Sequence, residues 1–199
     1  MAGGKTLIGG TAYTIKGGKT LIGGTTYSIK KGKTLISGTA KTIQFKSYSI
    51  AQEGTYGFTK GSEANPDSTL YDGVYQATNN GVNSSYSVAK ITFEGYTTFN
   101  VYIRSYAEGS YDYTIASALD ATSYPTAYNT SGVVAHTRSN QQSGTAISNY
   151  TKATYTTDGG VHSIYIVYRK DGSQHTNSDL GYFLIEKWGI KYGKLLYWS

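Results

Sequence analysis

The 199-residue chain contains no cysteine, so neither disulfide bonds nor a thiolate metal site can hold its fold. It also lacks any run of about 18 apolar residues, the length that a membrane span requires. Its N-terminus has no apolar run of the signal-peptide type. We therefore expect no membrane association and, if the protein reaches the outside of a cell, no export by an ordinary secretory signal.

Sequence motifs for metal binding and nucleophilic catalysis are missing as well. The three histidines, His136, His162 and His175, do not have the spacing of a metal-ligand pair, and Gly-x-Ser-x-Gly does not occur. Glu108 and Asp112 could be nominated as the carboxylate pair of a glycosidase, although Arg104 offers Glu108 an ion-pair partner. We predict a protein without enzymatic activity, cofactor or metal.

Acidic residues are absent from residues 1–46, which contain eight lysines, whereas the rest of the chain contains ten basic and twelve acidic residues. The positive charge therefore belongs to the N-terminal segment. It suits docking onto an acidic protein surface, but lysines also border exposed strands and prevent edge-to-edge aggregation. Nucleic-acid binding is disfavoured because the segment has no arginine.

The same N-terminal segment repeats itself. Three 14-residue copies run in succession, Gly3–Lys16, Gly17–Lys30 and Lys31–Gln44, and an isoleucine recurs every seven residues from Ile8 to Ile43. Paired glycines and β-branched residues oppose a helix and favour two short strands per copy, each followed by a glycine turn. Such a unit cannot bury its own apolar side chains, so we predict that it is an assembly device.

The residues that we expect to anchor the protein to a particle or to sister chains are the recurring lysines, leucines and isoleucines. They are Lys5, Leu7, Ile8, Ile15, Lys19, Leu21, Ile22, Ile29, Lys33, Leu35 and Ile36.

The composition changes after the repeat, so we divide the chain into an assembly segment, residues 1–46, and a second domain, residues 47–199. With 21 tyrosines and few helix-forming residues, the second domain is expected to be all-β. Its turn signals recur at intervals of about 8–12 residues, which is typical of a β-sandwich of the jelly-roll type. The fold class that we predict is therefore all-β, a short β-repeat followed by a jelly-roll-like sandwich.

Individual strands can be placed by their alternation. We predict an antiparallel pair from Tyr86–Phe93 and Phe99–Ser105, and a hairpin from Tyr150–Thr156 and Val161–Arg169 around Asp158-Gly159. Tyr111–Leu119 is expected to form a strand or a short helix, Asp120–Asn149 a loop, Gly181–Trp188 the last core strand, and the tail Gly189–Ser199 an edge strand docked on its own domain or on another copy.

Two groups of aromatic and polar residues could bind a sugar, because an aromatic ring covers the apolar face of a sugar while charged and amide groups bind its hydroxyls. The alternative is that these tyrosines cap the strands of a half-exposed sheet. The first group comprises Arg104, Tyr106, Tyr111, Asp112 and Tyr113. The second comprises Tyr124, Tyr128, Asn129, Asn140 and Gln141.

The GGKTLIGGT repeats, followed by a tyrosine-rich domain with YIRSYAEGSYDY (Tyr102–Tyr113), SALD (Ser117–Asp120) and HSIYIVYRKDGS (His162–Ser173), resemble structural proteins of tailed bacteriophages, notably phages of gut bacteria. The resemblance implies a virion component, a head fibre or capsid decoration with the repeat as its anchor and the β-domain displayed outward. A tail-associated, receptor- or glycan-binding adhesin is the alternative. The resemblance assigns no catalytic residue.

The resemblance also implies where the protein acts and what it contacts. Its location would be the virion, assembled in the host cytoplasm, and its partners other capsid or tail proteins and a host-surface glycan. Fibrous phage proteins are often trimers, so we expect a homo-oligomer with the trimer as first candidate.

Overall fold

The computed structural model describes residues 46–61, 63–107, 112–138, 146–173 and 179–187, together with the backbone of six strands before residue 45. The chain divides into two compact units, with one division between Ser47 and Tyr48. No helix in the described part of the chain has the length and apolar composition to span a membrane.

The repeat forms three antiparallel hairpins, one for each 14-residue copy, and each hairpin is a two-stranded sheet of its own. The strands are β1 (Gly4–Ile8), β2 (Thr11–Ile15), β3 (Lys19–Ile22), β4 (Thr25–Ser28), β5 (Lys31–Ile36) and β6 (Thr39–Gln44). The pairing register is the same in all three, since Ile8, Ile22 and Ile36 each lie opposite the threonine three residues later. These strands agree with the sequence prediction, whereas the predicted glycine turns lie outside the described residues.

Ten strands form the second unit, apart from the first residue of β7. In chain order they are β7 (Ser47–Gln52), β8 (Phe58–Lys60), β9 (Tyr71–Ala77), β10 (Tyr86–Glu94), β11 (Thr98–Tyr106), β12 (Tyr113–Ser117), β13 (Val133–Arg138), β14 (Thr151–Thr156), β15 (Val161–Arg169) and β16 (Leu180–Glu186). They make two five-stranded sheets: sheet I in the order β13-β12-β15-β10-β7 and sheet II in the order β14-β11-β16-β9-β8.

The connections between these strands have the jelly-roll pattern. From β9 to β16 the chain changes sheet at every step except β12 to β13, which form a hairpin within sheet I. Two four-stranded antiparallel sheets joined in this way are the jelly roll, to which β7 and β8 add one edge strand each. The all-β sandwich predicted from the sequence is thus confirmed.

A core of apolar side chains fills the space between the sheets. Alternate residues of the central strands point into it, among them Ile91 of β10, Ile103 of β11 and Ile166 of β15, which are fully buried. Phe93 of sheet I stacks on Phe99 of sheet II with ring centroids 4.0 Å apart. Burial of one such side chain stabilises the fold by about 1.5–3 kcal/mol, so these contacts hold the two sheets together.

Both strand pairings that were predicted from neighbouring segments are wrong. β10 pairs with β15, and β11 with β14 and β16, so β10 and β11 lie in opposite sheets; β14 and β15 are likewise separated. Each predicted turn is instead a crossing between the sheets. The two crossings lie side by side, because the N–H of Gly95 donates to the carbonyl of Gly159 at 3.1 Å and that of Thr157 to Thr97 at 3.0 Å.

Three further expectations are resolved in part. The segment after Tyr111 contains a strand, β12, and not a helix, while the predicted loop of residues 120–149 contains the strand β13. The last core strand is β16, which lies in the middle of sheet II. The predicted edge strand at residues 189–199 lies outside the described residues.

Each sheet also carries an apolar cluster on its outer face. On sheet II the cluster is built around Tyr71, Val74, Tyr150, Tyr182 and Leu184. On sheet I it is built around Val88, Tyr113, Ile115, Tyr165 and Val167. These outer faces hold the residues from which a binding site could be built.

Candidate functional site

On the outer face of sheet II, the charged and aromatic side chains contact one another. Arg104 of β11 is only 3% exposed and its Nη2 lies 2.5 Å from Oε1 of Glu63. Its guanidinium also lies over two rings, 4.4 Å from the centroid of Tyr182 and 5.1 Å from that of Tyr150. A buried guanidinium held between a carboxylate and two rings packs this face and offers no surface to a ligand.

A second carboxylate on this face is also occupied. Glu186 accepts hydrogen bonds from the hydroxyl of Tyr102 at 2.9 Å and the amide of Asn100 at 3.1 Å, and Lys152 lies 3.8 Å away. Burial, and then the hydrogen bond to Glu186, raise the pKa of Tyr102. Basic and acidic side chains therefore compensate one another on sheet II.

The outer face of sheet I has a different composition. One row across four neighbouring strands alternates tyrosine and arginine, because Tyr86 of β10 and Tyr113 of β12 both lie opposite Arg169 of β15, and Tyr113 lies opposite Arg138 of β13. We call Tyr86, Tyr113, Tyr128, Arg138 and Arg169 the tyrosine–arginine face.

Tyr128 joins this row from the loop between β12 and β13. Its ring packs edge-on against Tyr113, with centroids 5.1 Å apart, and lies 4.9 Å from the guanidinium of Arg138 and 5.0 Å from the imidazole of His136. The hydroxyl of Tyr113 donates to the carbonyl of Thr126 in the same loop at 2.6 Å. The loop is thereby fastened to the sheet, with the exposed Arg138 and His136 at its edge.

Cations and rings alternate at other positions of the face. The guanidinium of Arg169 lies 5.4 Å from the ring of Tyr113, and Lys90 of β10 lies 5.4 Å from the ring of Tyr165. Burial raises the pKa of Tyr113, and the charge of Arg169 opposes that shift. Tyr124, which is 37% exposed, lies between Tyr86 at 6.5 Å and Tyr165 at 6.3 Å.

The four strands β10, β12, β13 and β15 carry three basic residues, Lys90, Arg138 and Arg169, and one acidic residue. That residue, Glu94, occupies the last position of β10, opposite Val161 and at the end remote from the tyrosine–arginine row. The strands thus present aromatic surface with an excess of positive charge.

The first sugar-binding group predicted from the sequence does not come together. Arg104 and Tyr106 lie on the outer face of sheet II, whereas Tyr113 lies on that of sheet I, because β11 and β12 belong to different sheets. Asp112 is fully buried, and Tyr111 lies outside the described residues.

Part of the second predicted sugar-binding group comes together in the structure. Tyr124 and Tyr128 belong to the aromatic surface of sheet I, and Asn129 is exposed next to Tyr128; Asn140 and Gln141 lie outside the described residues. The sequence reasoning missed Tyr86, Arg138 and Arg169. For Tyr86 and Arg169 the signal was present in the period-two pattern of β10 and β15, which places both residues on the outer face, where they lie opposite each other.

Asp112, once paired with Glu108 as a hypothetical catalytic carboxylate, is part of a buried polar cluster. Its Oδ1 accepts the N–H of Asp171 at 2.6 Å, and the neighbouring Lys170 and Asp179, both fully buried, pair at 2.6 Å. Burial raises the pKa of Asp112 to about 6. A carboxylate without solvent access cannot meet a glycosidic bond, and Glu108 lies outside the described residues.

His162 forms a separate polar cluster at one end of the sandwich. Its Nδ1 lies 2.7 Å from Asp120 and its Nε2 lies 2.9 Å from Asp158. These two hydrogen bonds raise the pKa of His162. Within the described ranges, no group of three histidine or carboxylate side chains is arranged to hold a metal ion.

One concavity lies at the margin of sheet II. It has a volume of about 380 Å³ and is lined by Pro66, Asp67, Leu70, Tyr71, Ala146 and Ile147. Its carboxylate, Asp67, already accepts hydrogen bonds from the hydroxyl and the N–H of Thr69. The concavity therefore offers apolar surface with little directed polar chemistry.

The predicted anchoring residues occupy equivalent register positions in the hairpins. Lys5, Lys19 and Lys33 each lie opposite the hydroxyl-bearing residue nine positions later. Ile29 lies outside the described residues, and the structure describes no side-chain contacts for the repeat.

No protein-family model matches the chain, and no curated protein matches it. Among solved structures it resembles CBM29_1, a family 29 carbohydrate-binding module from Piromyces equi, at 15% sequence identity and a TM-score of 0.30. The match covers 71% of this chain and 89% of that one. This similarity is too small to support a conclusion about fold or function. The fold is assigned from the strands and their connections.

Proposed function

We propose that the chain is a non-enzymatic structural protein of a tailed-phage particle, a head fibre or capsid decoration, which the N-terminal hairpins attach and whose sandwich is displayed. The observation that carries the proposal is that three successive hairpins share one register with a 14-residue period. The resemblance of the repeat to phage structural proteins supplies the class of particle.

An isolated two-stranded hairpin is marginally stable in water, and each hairpin here is a sheet of its own. Because neighbouring residues of a strand alternate between its faces, the Leu-Ile pair of each copy predicts an apolar residue on both faces of a hairpin. Three similar units with this property suit stacking onto a regular partner, either sister chains or another virion protein. The eight lysines of residues 1–46 would favour an acidic partner.

The test is incorporation into particles. We expect that deleting residues 1–46, or replacing Leu7, Leu21 and Leu35 by serine in the full chain, lowers the number of copies per purified particle at least tenfold. A matched control replaces the exposed Thr59 and Thr154 and the half-buried Thr92 of the sandwich by serine. Unchanged incorporation of both repeat variants would reject the anchoring role.

The tyrosine–arginine face favours a second function, that of a glycan-binding adhesin. Rings that pack edge to face, with guanidinium groups lying over them, can cover the apolar face of a sugar and bind its hydroxyls. A glycan array probed with the full chain tests this function. We expect hits that weaken in Tyr124→Ala, which removes an exposed ring, and the absence of any hit with folded protein would reject it.

A further inference from the structure

We infer that β14, an edge strand of sheet II, pairs antiparallel with β14 of a second copy of this chain and so joins the sandwiches of neighbouring copies. Such a contact is separate from the anchoring role of the repeat and from glycan binding. Three features of β14 support the pairing: the backbone groups that face outward from it, the lack of protection at its edge, and the fit of the strand to its own copy.

Every second residue of β14 points its backbone N–H and C=O groups away from β11. The N–H of Thr157 donates to the carbonyl of Thr97 at 3.0 Å, and residues of an antiparallel strand alternate between facing the partner and facing away. Lys152, Thr154 and Thr156 therefore turn these groups to the outside of the sheet. In the part of the chain that the structure describes, β14 is the last strand of sheet II and no hydrogen bond occupies them.

Edge strands are commonly protected from pairing with other chains by shortness, by bulges, by cover from a neighbouring element or by outward-pointing lysines. Two of the other edge strands show such features. β8 has only three residues. In β13 the pairing register shifts opposite Ser117, and the carbonyl of Thr137 accepts the hydroxyl of Ser105 from sheet II at 3.0 Å.

β14 is a longer strand without this protection. It spans six residues in an unbroken register with β11 and contains no proline. Its one charged side chain, Lys152, lies 3.8 Å from Glu186 of β16 and 5.4 Å from the ring of Tyr102 of β11. Both partners belong to strands nearer the middle of the sheet, so the lysine is directed away from the edge and leaves it open to another strand.

The strand fits a second copy of itself when Thr154 lies opposite Thr154 of that copy. Lys152 then lies opposite Thr156, so the outward-facing backbone groups meet and no two lysines oppose each other. The buried Ala153 and Tyr155 also lie opposite each other, a small side chain against a large one, at the margin of the core. Exposed residues thus stay on the outer face of both copies.

Other registers lose contacts. A shift by two residues in one direction places Thr156 opposite Tyr150, whose N–H already donates to the carbonyl of Ile147 at 3.0 Å. In the other direction, Lys152 passes beyond the end of the strand. A shift by one residue would bring exposed side chains to the face of the buried ones. The symmetric register centred on Thr154 is therefore favoured.

The contact is small. Three residues from each chain exchange about six backbone hydrogen bonds. Interfaces that bury less than about 1,200 Å² are usually transient. Attachment of many copies to one particle raises their local concentration toward about 1 mM. The edges then pair between neighbouring copies on the particle, whereas a detached chain in dilute solution stays unpaired.

Disulfide trapping in the full chain, which contains no cysteine of its own, tests the pairing. Opposed residues of a hydrogen-bonded antiparallel pair have Cα atoms about 5.5 Å apart, within the range that a disulfide spans. At about 1 mM protein, mild oxidation should link Thr154→Cys into a dimer at least tenfold faster than Thr156→Cys. The latter is the matched control, because Thr156 is also exposed on β14 but lies opposite Lys152. Equal rates for the two variants would overturn the inference.

A mixture of two variants tests the register. Chains with Lys152→Cys and chains with Thr156→Cys should form the mixed disulfide, whereas neither should link to itself. Adding Thr154→Lys to both chains, which places two lysines opposite each other, should reduce the mixed product at least tenfold. Thr59→Lys at an exposed position of β8 is the control and should change it less than twofold. Absence of the mixed product, or a product that Thr154→Lys leaves unchanged, would reject the pairing of β14 with its own copy.

Discussion

Asp112 shows how the surroundings of one residue decide its chemistry. In the sequence it stands beside tyrosines and could contact a sugar, but in the structure it is fully buried and accepts the N–H of Asp171. Burial raises the pKa of its carboxyl to about 6. The residue therefore belongs to the polar interior, and its ionisation affects folding.

We predict the following pH dependence for Asp112. Because its pKa is higher in the folded protein than in the unfolded chain, the folded state binds the proton more tightly, and the resulting stability is present below about pH 4 and lost as the pH rises through about 6. With about 1.4 kcal/mol for each pKa unit, the loss amounts to about 3 kcal/mol.

Urea unfolding at pH 4 and pH 7.5 measures the effect. Asp112→Asn keeps an oxygen that can accept the N–H of Asp171 but does not ionise. At each pH, the free energy of unfolding of the wild-type protein is subtracted from that of the variant. This difference should be about 3 kcal/mol larger at pH 7.5 than at pH 4. A constant difference between the two proteins across this range would contradict the assignment.

Protonation of the His162 imidazole should likewise stabilise the folded protein at low pH. The protonated imidazole can donate to Asp120 and Asp158 at once, whereas the neutral ring has one N–H, so the folded state raises the pKa of His162. Its contribution to stability is complete below about pH 6.5 and is lost as the pH rises through the raised pKa.

A pH titration of the His162 ring signals by NMR gives the direct measurement. The pKa should lie above 6.5, and it should fall in Asp158→Asn, which removes one carboxylate. A midpoint below 6.5 in the wild-type protein would contradict this account.

At the scale of the strand, close packing and not charge determines which side chains a position can hold. Gly181 of β16 lies against Tyr168, and a Cβ atom at position 181 would stand 2.4 Å from Cγ of that ring. Because Tyr168 is fully buried in β15, its ring cannot move into solvent. This contact joins the middle strands of the two sheets.

We predict that Gly181→Ala destabilises the protein by about 1–3 kcal/mol, the usual cost of overpacking a core. Gly132→Ala provides the control, because a Cβ there would have no neighbour within 4 Å; its effect should stay within about 0.5 kcal/mol. Equal unfolding midpoints for the two variants in urea would show that β15 and β16 do not pack as closely as described.

The strands also show which information a sequence contains and which it lacks. Alternation located most of β10, β11, β14 and β15, because a strand buried on one face repeats every two residues. It could not identify their partners, since a short turn-rich connection such as Asp158–Gly160 can either close a hairpin or cross between sheets. The stacking of Phe93 on Phe99 across the core favours the crossing, and that contact becomes visible only when both sheets are assembled.

The same limit applies to the candidate site. Sequence reasoning found the ring of Tyr128 but grouped Arg104 with Tyr113, which are neighbours in the chain and lie on opposite faces of the sandwich. Arg138 was overlooked because β13 has one buried residue, Ala135, and so shows little alternation. A row formed by four strands depends on their pairing order, which local patterns do not specify.

At the scale of the whole molecule, the chain joins a basic repeat to a sandwich with one basic, aromatic face. We expect the repeat to mediate self-association, with a trimer as the first candidate, because separate two-stranded sheets need a further partner. Native mass measurement of the full chain checks this expectation. Leu7→Ser with Leu21→Ser and Leu35→Ser should then yield the monomer, whereas a monomeric wild-type chain would contradict self-association and leave another virion protein as the partner.

The central claim is that the protein is a built-in part of a virus particle. Its most direct test is quantitative peptide mass spectrometry on gradient-purified particles from the strain that encodes the chain, with peptides from the sandwich measured against the major capsid protein. We predict a constant ratio of the two proteins across the particle peak. A chain found only in particle-free fractions would contradict it.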